Sequence, residues 1–184
     1  KLTFPLRQHI GVPSEPVVST GAHVKRGQLI AKKPDASLGA NIFSSVDGTV
    51  DSVNEAEIVI NEENTDFSKY EKLTETSPLK LIEESGLVGL GGAGFPTYVK
   101  LGKKFESGGV IAVNAAECEP ILSHNIDRIE KEPEQLIEGL KIVMGVVNAQ
   151  RGIICLKHIH TKAIEILKNT IKDDNITIFE LENI

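Results

Sequence analysis

The chain has 184 residues, of which 40% are hydrophobic and 25% are charged, and this composition is typical of a globular protein with a real core. Its formal net charge of −6 and the lack of any basic run argue against a nucleic-acid partner. No apolar stretch approaches membrane-spanning length and no signal peptide is visible, so we predict neither a transmembrane segment nor secretion.

The two cysteines limit the redox chemistry that the chain can carry. Cys118 and Cys155 have no metal-binding spacing, which suits a reducing cytoplasm. An iron–sulfur cluster needs about four thiolates. This chain alone therefore cannot hold such a cluster.

The first third of the chain consists of short apolar runs separated by glycine and proline, which predicts a small all-β unit over residues 1–62. Residues 20–30 and 45–50 resemble the barrel-sandwich hybrid of biotinyl and lipoyl carrier domains. Carriers present a modified lysine on the hairpin between these segments, but residues 32–34 (Lys-Lys-Pro) match neither modification motif. We therefore expect a fixed structural domain, in which His9 has a hydrogen-bonding role. A carrier with a modified lysine is the alternative.

Residues 63–78 are polar and lack a sustained hydrophobic period, which predicts a linker. Pro78 is expected to begin a short helix that a glycine, Gly86, ends.

A glycine-rich stretch follows at residues 86–100, with the sequence GLVGLGGAGFPTYVK. Such a run suits a loop whose backbone must come very close to something else. Pro96 is well placed as the first residue of a helix, whose N-terminus would favour an anion. Lys100, one turn later, would add a positive charge to this predicted anion site.

The loop contains Gly89, Gly91 and Gly94 at the spacing of the dinucleotide fingerprint. That fingerprint requires a preceding strand, and the residues before the loop predict a helix, so the Rossmann interpretation fails. No Gly-Lys-Ser/Thr follows, which excludes an NTPase phosphate loop. A surface turn that merely needs glycines is the alternative to a binding loop.

The second half of the chain alternates apolar runs with helical patterns. The runs span residues 110–113, 152–156 and 176–181. The helical patterns begin at Thr97, Pro133 and Thr161. This alternation predicts an α/β domain with a parallel sheet built by right-handed crossovers. The first run is expected to be a strand covered on both faces, and the helix from Thr97 is expected to reach Phe105.

A second motif, residues 114–120 (NAAECEP), follows the first strand at the edge where open α/β sheets bind ligands. Asn114 and one carboxylate are candidates for hydrogen bonds to a bound ligand. The alternative roles for the carboxylates are solvated loop charges or caps for the next helix. His158 and His160 could bind a metal only with a third ligand, so a surface loop is favoured and no metal site is predicted.

Together, the glycine loop and residues 114–120 resemble the RnfC-like family and, more distantly, the flavin-bearing NADH dehydrogenase subunit of respiratory complex I. The resemblance implies that the loop and Lys100 hold FMN, with Asn114 and Glu117 beside it. It also implies that Phe95 stacks on the adenine of NADH and that Glu119 contacts the dinucleotide. The implied cofactor-binding residues are Gly89, Gly91, Gly92, Ala93, Gly94, Phe95, Lys100, Asn114, Glu117 and Glu119.

The resemblance further implies that the chain is the N-terminal part of an electron-transfer subunit. It would comprise the barrel-sandwich domain at 1–62, the linker at 63–78 and part of an FMN/NADH-binding α/β domain at 79–184. Longer members continue into a domain that carries 4Fe-4S clusters, and they pass electrons from NADH through FMN to those clusters or to a partner reductase.

The expected partners are other subunits of a membrane Rnf-type complex or of a soluble reductase system. The expected location is the cytoplasm or the cytoplasmic face of the membrane. Alone, this chain is expected to be inactive and to bind FMN weakly or not at all. The alternative function is a docking module of a redox complex that binds no cofactor.

Overall fold

A computed structural model of the protein describes residues 1–90, 92–117 and 121–182. The chain divides into two compact units, Lys1–Lys100 and Leu101–Ile184. The strands of the first unit are β1 (Leu2–Pro5), β2 (Glu15–Pro16), β3 (His23–Val24), β4 (Leu29–Lys32), β5 (Ile42–Phe43), β6 (Gly48–Val53) and β7 (Glu57–Glu62). Helix α1 (Pro78–Glu84) follows them, and helix α2 (Thr97–Leu101) lies at the boundary. The elements of the second unit are β8 (Gly109–Asn114), α3 (His124–Lys131), α4 (Pro133–Val147), β9 (Ala149–Lys157), α5 (Thr161–Thr170) and β10 (Ile176–Leu181).

The seven short strands of the first unit form two antiparallel sheets, in the orders β1-β7-β6-β3 and β2-β4-β5. Alternate residues of β7 point into the core, so Ile58 and Ile60 are fully buried. They pack with Val24, Ile30 and other apolar residues contributed by several strands. We call this arrangement of β1–β7 the barrel domain, and the prediction of a small all-β unit is confirmed.

The polar segment 63–77 has no helix and no strand, yet it is fixed to the barrel domain. Arg26 donates hydrogen bonds to the carbonyls of Phe67 (2.9 Å) and Lys69 (3.2 Å), and its guanidinium lies over the rings of Phe67 and Tyr70. The N–H of Glu71 donates to the Arg26 carbonyl at 2.8 Å. One arginine therefore holds much of this segment, which then enters α1 at Pro78 as predicted.

The second unit contains a parallel sheet of order β10-β9-β8, in which Ile111 pairs with Gly152 and Ile154 pairs with Ile178. Its core lies between the sheet and the helices, where Leu140 of α4, Leu167 of α5 and Ile154 of β9 are buried. The predicted parallel α/β arrangement is confirmed.

The prediction that residues 110–113 are covered on both faces is wrong in the described part of the chain. Val110 is 42% exposed, and Phe179 on the same face of the sheet is 56% exposed. The strand order explains the difference. The chain moves across the sheet in one direction, from β8 to β9 to β10, and right-handed crossovers in one direction place α4 and α5 on the same face.

Helix α2 is also shorter than predicted, since it ends at Leu101 rather than near Phe105. Gly102 follows at once, and glycine is a poor helix former. The N–H of Phe105 donates to the Val147 carbonyl at 2.8 Å, so this part of the chain bonds to the end of α4 instead of continuing a helix.

Among the described residues, every helix is too short or too polar to cross a lipid bilayer.

The expectation that His9 has a hydrogen-bonding role is confirmed. Its ring is buried, and Nε2 accepts a hydrogen bond from the Ala40 N–H at 3.1 Å. Because Nε2 is the acceptor, the proton lies on Nδ1, which donates to the Ile10 carbonyl at 3.0 Å.

We expect the purified chain to have its unmodified mass, without biotin or lipoate on Lys32 or Lys33. The Lys33 side chain is only 14% exposed, and its ammonium lies 3.1 Å from a Glu83 carboxylate oxygen. A modifying enzyme could reach this ammonium only after the ion pair with Glu83 is broken and the side chain is exposed. Intact-mass spectrometry checks this. A mass increment matching biotin or lipoate would contradict the structural role of the domain.

Candidate functional site

The glycine-rich stretch forms a loop with a closed base. Val88 and Pro96 make an antiparallel bridge. On either side of it, the Gly89 N–H donates to the Phe95 carbonyl and the Thr97 N–H donates to the Leu87 carbonyl, both at 2.9 Å. The described residues between Gly89 and Phe95 thus belong to one loop of the first unit, whose two ends are held together.

Two glycines of this stretch are required by packing. Gly86 and Gly94 have φ angles of +67° and +61°, which favour glycine. A Cβ at Gly86 would overlap the Asn41 carbonyl oxygen, and a Cβ at Gly94 would lie 2.9 Å from the Gln8 carbonyl oxygen. These two glycines are therefore explained by the barrel domain, without any ligand.

Gly92 differs from them. It also has a left-handed backbone (φ +68°), but a Cβ built there would meet no protein atom within 4 Å. Its backbone is exposed and approachable from outside, which is the geometry that a loop needs to bring its N–H groups close to a phosphate. Packing against other parts of the protein therefore does not explain why this residue is a glycine.

The other predicted contacts on this loop are accessible to different degrees. Phe95 is 37% exposed and Leu90 is fully exposed. Gly89 and Ala93 are exposed as well, although the Ala93 carbonyl accepts a hydrogen bond from the Ile10 N–H at 2.8 Å. Gly91 lies outside the described residues.

Lys100 is exposed in the last turn of α2. The helix contains five residues, little more than one turn, so its dipole adds less to the predicted anion site than a longer helix would. The charge of Lys100 is therefore the main electrostatic feature that the sequence predicted here.

In the second unit, Asn114 is the last residue of β8. Its side-chain oxygen accepts the Ala116 N–H at 3.1 Å, a local bond typical of an Asx turn. Asn114 thus lies at the carboxyl end of a parallel strand, where the motif was predicted to lie.

Glu117 is 8% exposed, and its Oε1 accepts the Asn125 N–H in the first turn of α3 at 2.7 Å. His124 Nδ1 lies 3.9 Å from the same oxygen. The carboxylate therefore caps α3, which is the structural role that the sequence left open as an alternative. Glu119 lies outside the described residues.

A cavity of about 290 Å³ opens beside Asn114 in the second unit. Its polar lining residues are Asn114, Asn125, Arg128, Glu132 and Gln135. Arg128 and Glu132 form an ion pair at 3.2 Å along α3. The sequence did not lead us to predict that side chains of α3 and α4 line this cavity. Their presence could have been expected, because the helices that follow a strand begin at the edge of the sheet where that strand ends.

The two histidines after β9 are in the predicted loop: His158 and Ile159 form a turn, and the His158 ring lies 3.1 Å from the Leu181 carbonyl oxygen. No cluster of three or more metal-binding side chains occurs within residues 1–90, 92–117 and 121–182.

Comparison with known proteins agrees with both motifs. Residues 82–184 match the Nuo51 FMN-binding domain, and residues 1–68 match the RnfC barrel sandwich hybrid domain. The chain belongs to the RnfC-like proteins with a Nuo51-type FMN-binding domain. The resemblance drawn from the glycine loop and from residues 114–120 is therefore confirmed.

This RnfC-like chain spans less than half the length of two curated relatives that it matches. It is 33% identical to one subunit of the proton-translocating ferredoxin:NAD(+) oxidoreductase complex of Clostridium ljungdahlii, over 98% of the chain. It is 31% identical to the equivalently named subunit of the Na(+)-translocating ferredoxin:NAD(+) oxidoreductase complex of Acetobacterium woodii, over 94% of the chain. In each case the match covers 43% of the relative.

Proposed function

We propose that this RnfC-like chain is part of an electron-transfer subunit that binds FMN, accepts electrons from NADH and passes them to iron–sulfur clusters or a partner reductase. The observation that carries the proposal is Gly92. It lies within a range that matches an FMN-binding family, and its left-handed backbone faces open space that no packing contact explains. The names of the two relatives support the same electron-transfer role.

In this proposal the backbone of residues 89–94 approaches the flavin phosphate, and Lys100 supplies a positive charge. Asn114 lies beside the flavin, together with the segment that the capping carboxylate of Glu117 holds in place. Phe95, a partly exposed residue, stacks on the adenine of NADH, and Glu119 contacts the dinucleotide. Hydride transfer is the chemistry that the bound flavin supplies.

The proposed partners follow from the relatives. We propose that the full-length protein works with other subunits of a membrane Rnf-type complex or of a soluble reductase system. In this proposal it lies in the cytoplasm or on the cytoplasmic face of the membrane. The 4Fe-4S clusters would be held by a further domain of the full-length protein, since the two cysteines of this chain are too few for one cluster.

Titration of the full-length protein with FMN tests the binding step, with flavin fluorescence and absorbance as readouts. We expect saturable binding with one flavin per chain at this site. If the full-length protein binds no flavin, the proposal fails and the docking module without a cofactor takes its place.

Replacing Lys100 with alanine should weaken FMN binding by about 1–3 kcal/mol, the range for a hydrogen bond to a charged group. The expected effect is moderate because the loop backbone keeps its own contacts with the phosphate. Lys80→Ala is the matched control, since Lys80 is also an exposed helix lysine but lies on α1. Equal FMN affinities of the Lys100→Ala variant and the wild type, by fluorescence titration, would remove Lys100 from the site.

A further inference from the structure

We propose that the barrel domain positions the glycine loop for flavin binding, and that Lys33 and Asn41 are the positioning residues. This inference rests on the proposed flavin role of the loop and assigns a function to the domain that precedes it. Both residues belong to the β4–β5 connection, residues 33–41, which is where carrier domains present their modified lysine.

Lys33 contacts the helices on both sides of the glycine loop. Its ammonium lies 3.1 Å from Glu83 Oε1 on α1, before the loop, and 5.6 Å from the centre of the Tyr98 ring on α2, after the loop. The Lys33 side chain is 14% exposed, whereas that of Lys32 is 53% exposed. Because a shielded charge is screened less by solvent, Lys33 is suited to holding two elements in place.

Asn41 fixes the point where α1 ends and the glycine stretch begins. Its side-chain oxygen accepts the Lys33 N–H at 3.1 Å, and its side-chain nitrogen donates to the Glu84 carbonyl at 2.9 Å. Glu84 is the last residue of α1, where helical carbonyls lack partners within the helix. The Asn41 carbonyl also packs directly against Gly86.

The far end of the loop is held by the segment around His9. The Ile10 N–H donates to the Ala93 carbonyl at 2.8 Å, and Gly94 packs against the His9 backbone. The His9 ring in turn accepts the Ala40 N–H, so this segment and the β4–β5 connection are joined to each other. The barrel domain therefore holds the loop at Gly86 and at residues 93–94, and leaves Gly92 open between them.

This arrangement has a consequence for affinity. A free glycine-rich loop loses much backbone entropy when it orders around a ligand. A loop whose two ends are already fixed loses less, so its ligand binds more tightly. Loss of the Lys33 contacts should thus cost flavin affinity although Lys33 need not touch the flavin.

The test uses the full-length protein and three variants: Lys33→Met, Lys33→Arg and Lys32→Met. For Lys33→Met we expect the FMN dissociation constant to rise by about tenfold. We also expect faster hydrogen exchange of the amides of residues 88–96 in the absence of flavin. Lys33→Arg should restore affinity to within about threefold of the wild type, since it keeps a positive charge next to Glu83 and Tyr98. Lys32→Met should match the wild type in both readouts.

Three other outcomes would overturn the proposal, each in a different way. If Lys33→Met leaves both FMN affinity and loop exchange unchanged while a Gly92 variant loses flavin, the positioning role fails and the flavin site stands. If Lys33→Met accelerates exchange equally throughout β1–β7, the residue serves general stability and has no specific role at the loop. If the wild-type protein binds no FMN, the proposed function and this inference fail together.

Discussion

Gly92→Ala is expected to weaken FMN binding to the full-length protein by about 100-fold or more, equivalent to about 2.7 kcal/mol. In the structure a Cβ at this position meets no protein atom within 4 Å, so the substitution creates no clash with the protein itself. In the proposed site, the Cβ would instead occupy the space through which the flavin phosphate reaches the loop backbone. It also disfavours the left-handed conformation at φ +68°. Fluorescence titration with FMN measures the effect.

Gly108→Ala is the matched control for this variant. Gly108 has a similar φ of +64° and open space at its Cβ position, but it lies outside the glycine loop. We expect both variants to keep a near wild-type circular dichroism spectrum and only Gly92→Ala to lose flavin. Wild-type FMN affinity in Gly92→Ala would show that the open face of the loop is not where the phosphate binds.

Gly86→Ala should lower the stability of the 184-residue chain more than Gly92→Ala or Gly108→Ala does. A left-handed backbone costs a residue other than glycine about 1–3 kcal/mol. The added Cβ would also overlap the Asn41 carbonyl oxygen, and overpacking typically costs a further 1–3 kcal/mol or so. Thermal unfolding followed by circular dichroism should therefore show a Tm lower by roughly 5–20 °C.

Gly21→Ala separates the two causes. Gly21 has φ +85° but nothing within 4 Å of its Cβ position, so this variant carries backbone strain without a clash. Its Tm should fall by clearly less than that of Gly86→Ala. Equal losses in the two variants would mean that the overlap between the added Cβ and the Asn41 carbonyl costs little stability.

The elements with strong local signals could be predicted from sequence. The alternating run at residues 176–181 predicts a strand with the bounds that β10 has, and Pro78 and Pro133 begin helices as proline at a first helical position should. Coverage of the sheet could not be predicted, since it depends on strand order. Val110 and Phe179 are exposed because both crossovers run in the same direction across the sheet. No local sequence pattern indicates the direction of a crossover.

The candidate functional residues also differ in how far sequence predicts them. The glycine loop of the first unit follows from a short motif. In the second unit, the position of Asn114 after a strand and the two possible roles of Glu117 follow from another motif, and the structure displays helix capping by Glu117. The contacts of Lys33 with Glu83 and of Asn41 with Glu84 join residues about 50 and 43 positions apart. Such pairs arise from tertiary packing, so Lys33 cannot be distinguished from Lys32 by sequence alone.

Reduction of protein-bound flavin by NADH is the most direct test of the electron-transfer role. The full-length protein is loaded with FMN, freed of unbound flavin and mixed anaerobically with NADH while its absorption spectrum is recorded. We predict a yellow, stoichiometric flavin complex that NADH bleaches, with loss of the yellow complex in Gly92→Ala. A protein that retains no flavin, or a bound flavin that NADH leaves oxidised, would contradict the proposed path of electrons from NADH through FMN.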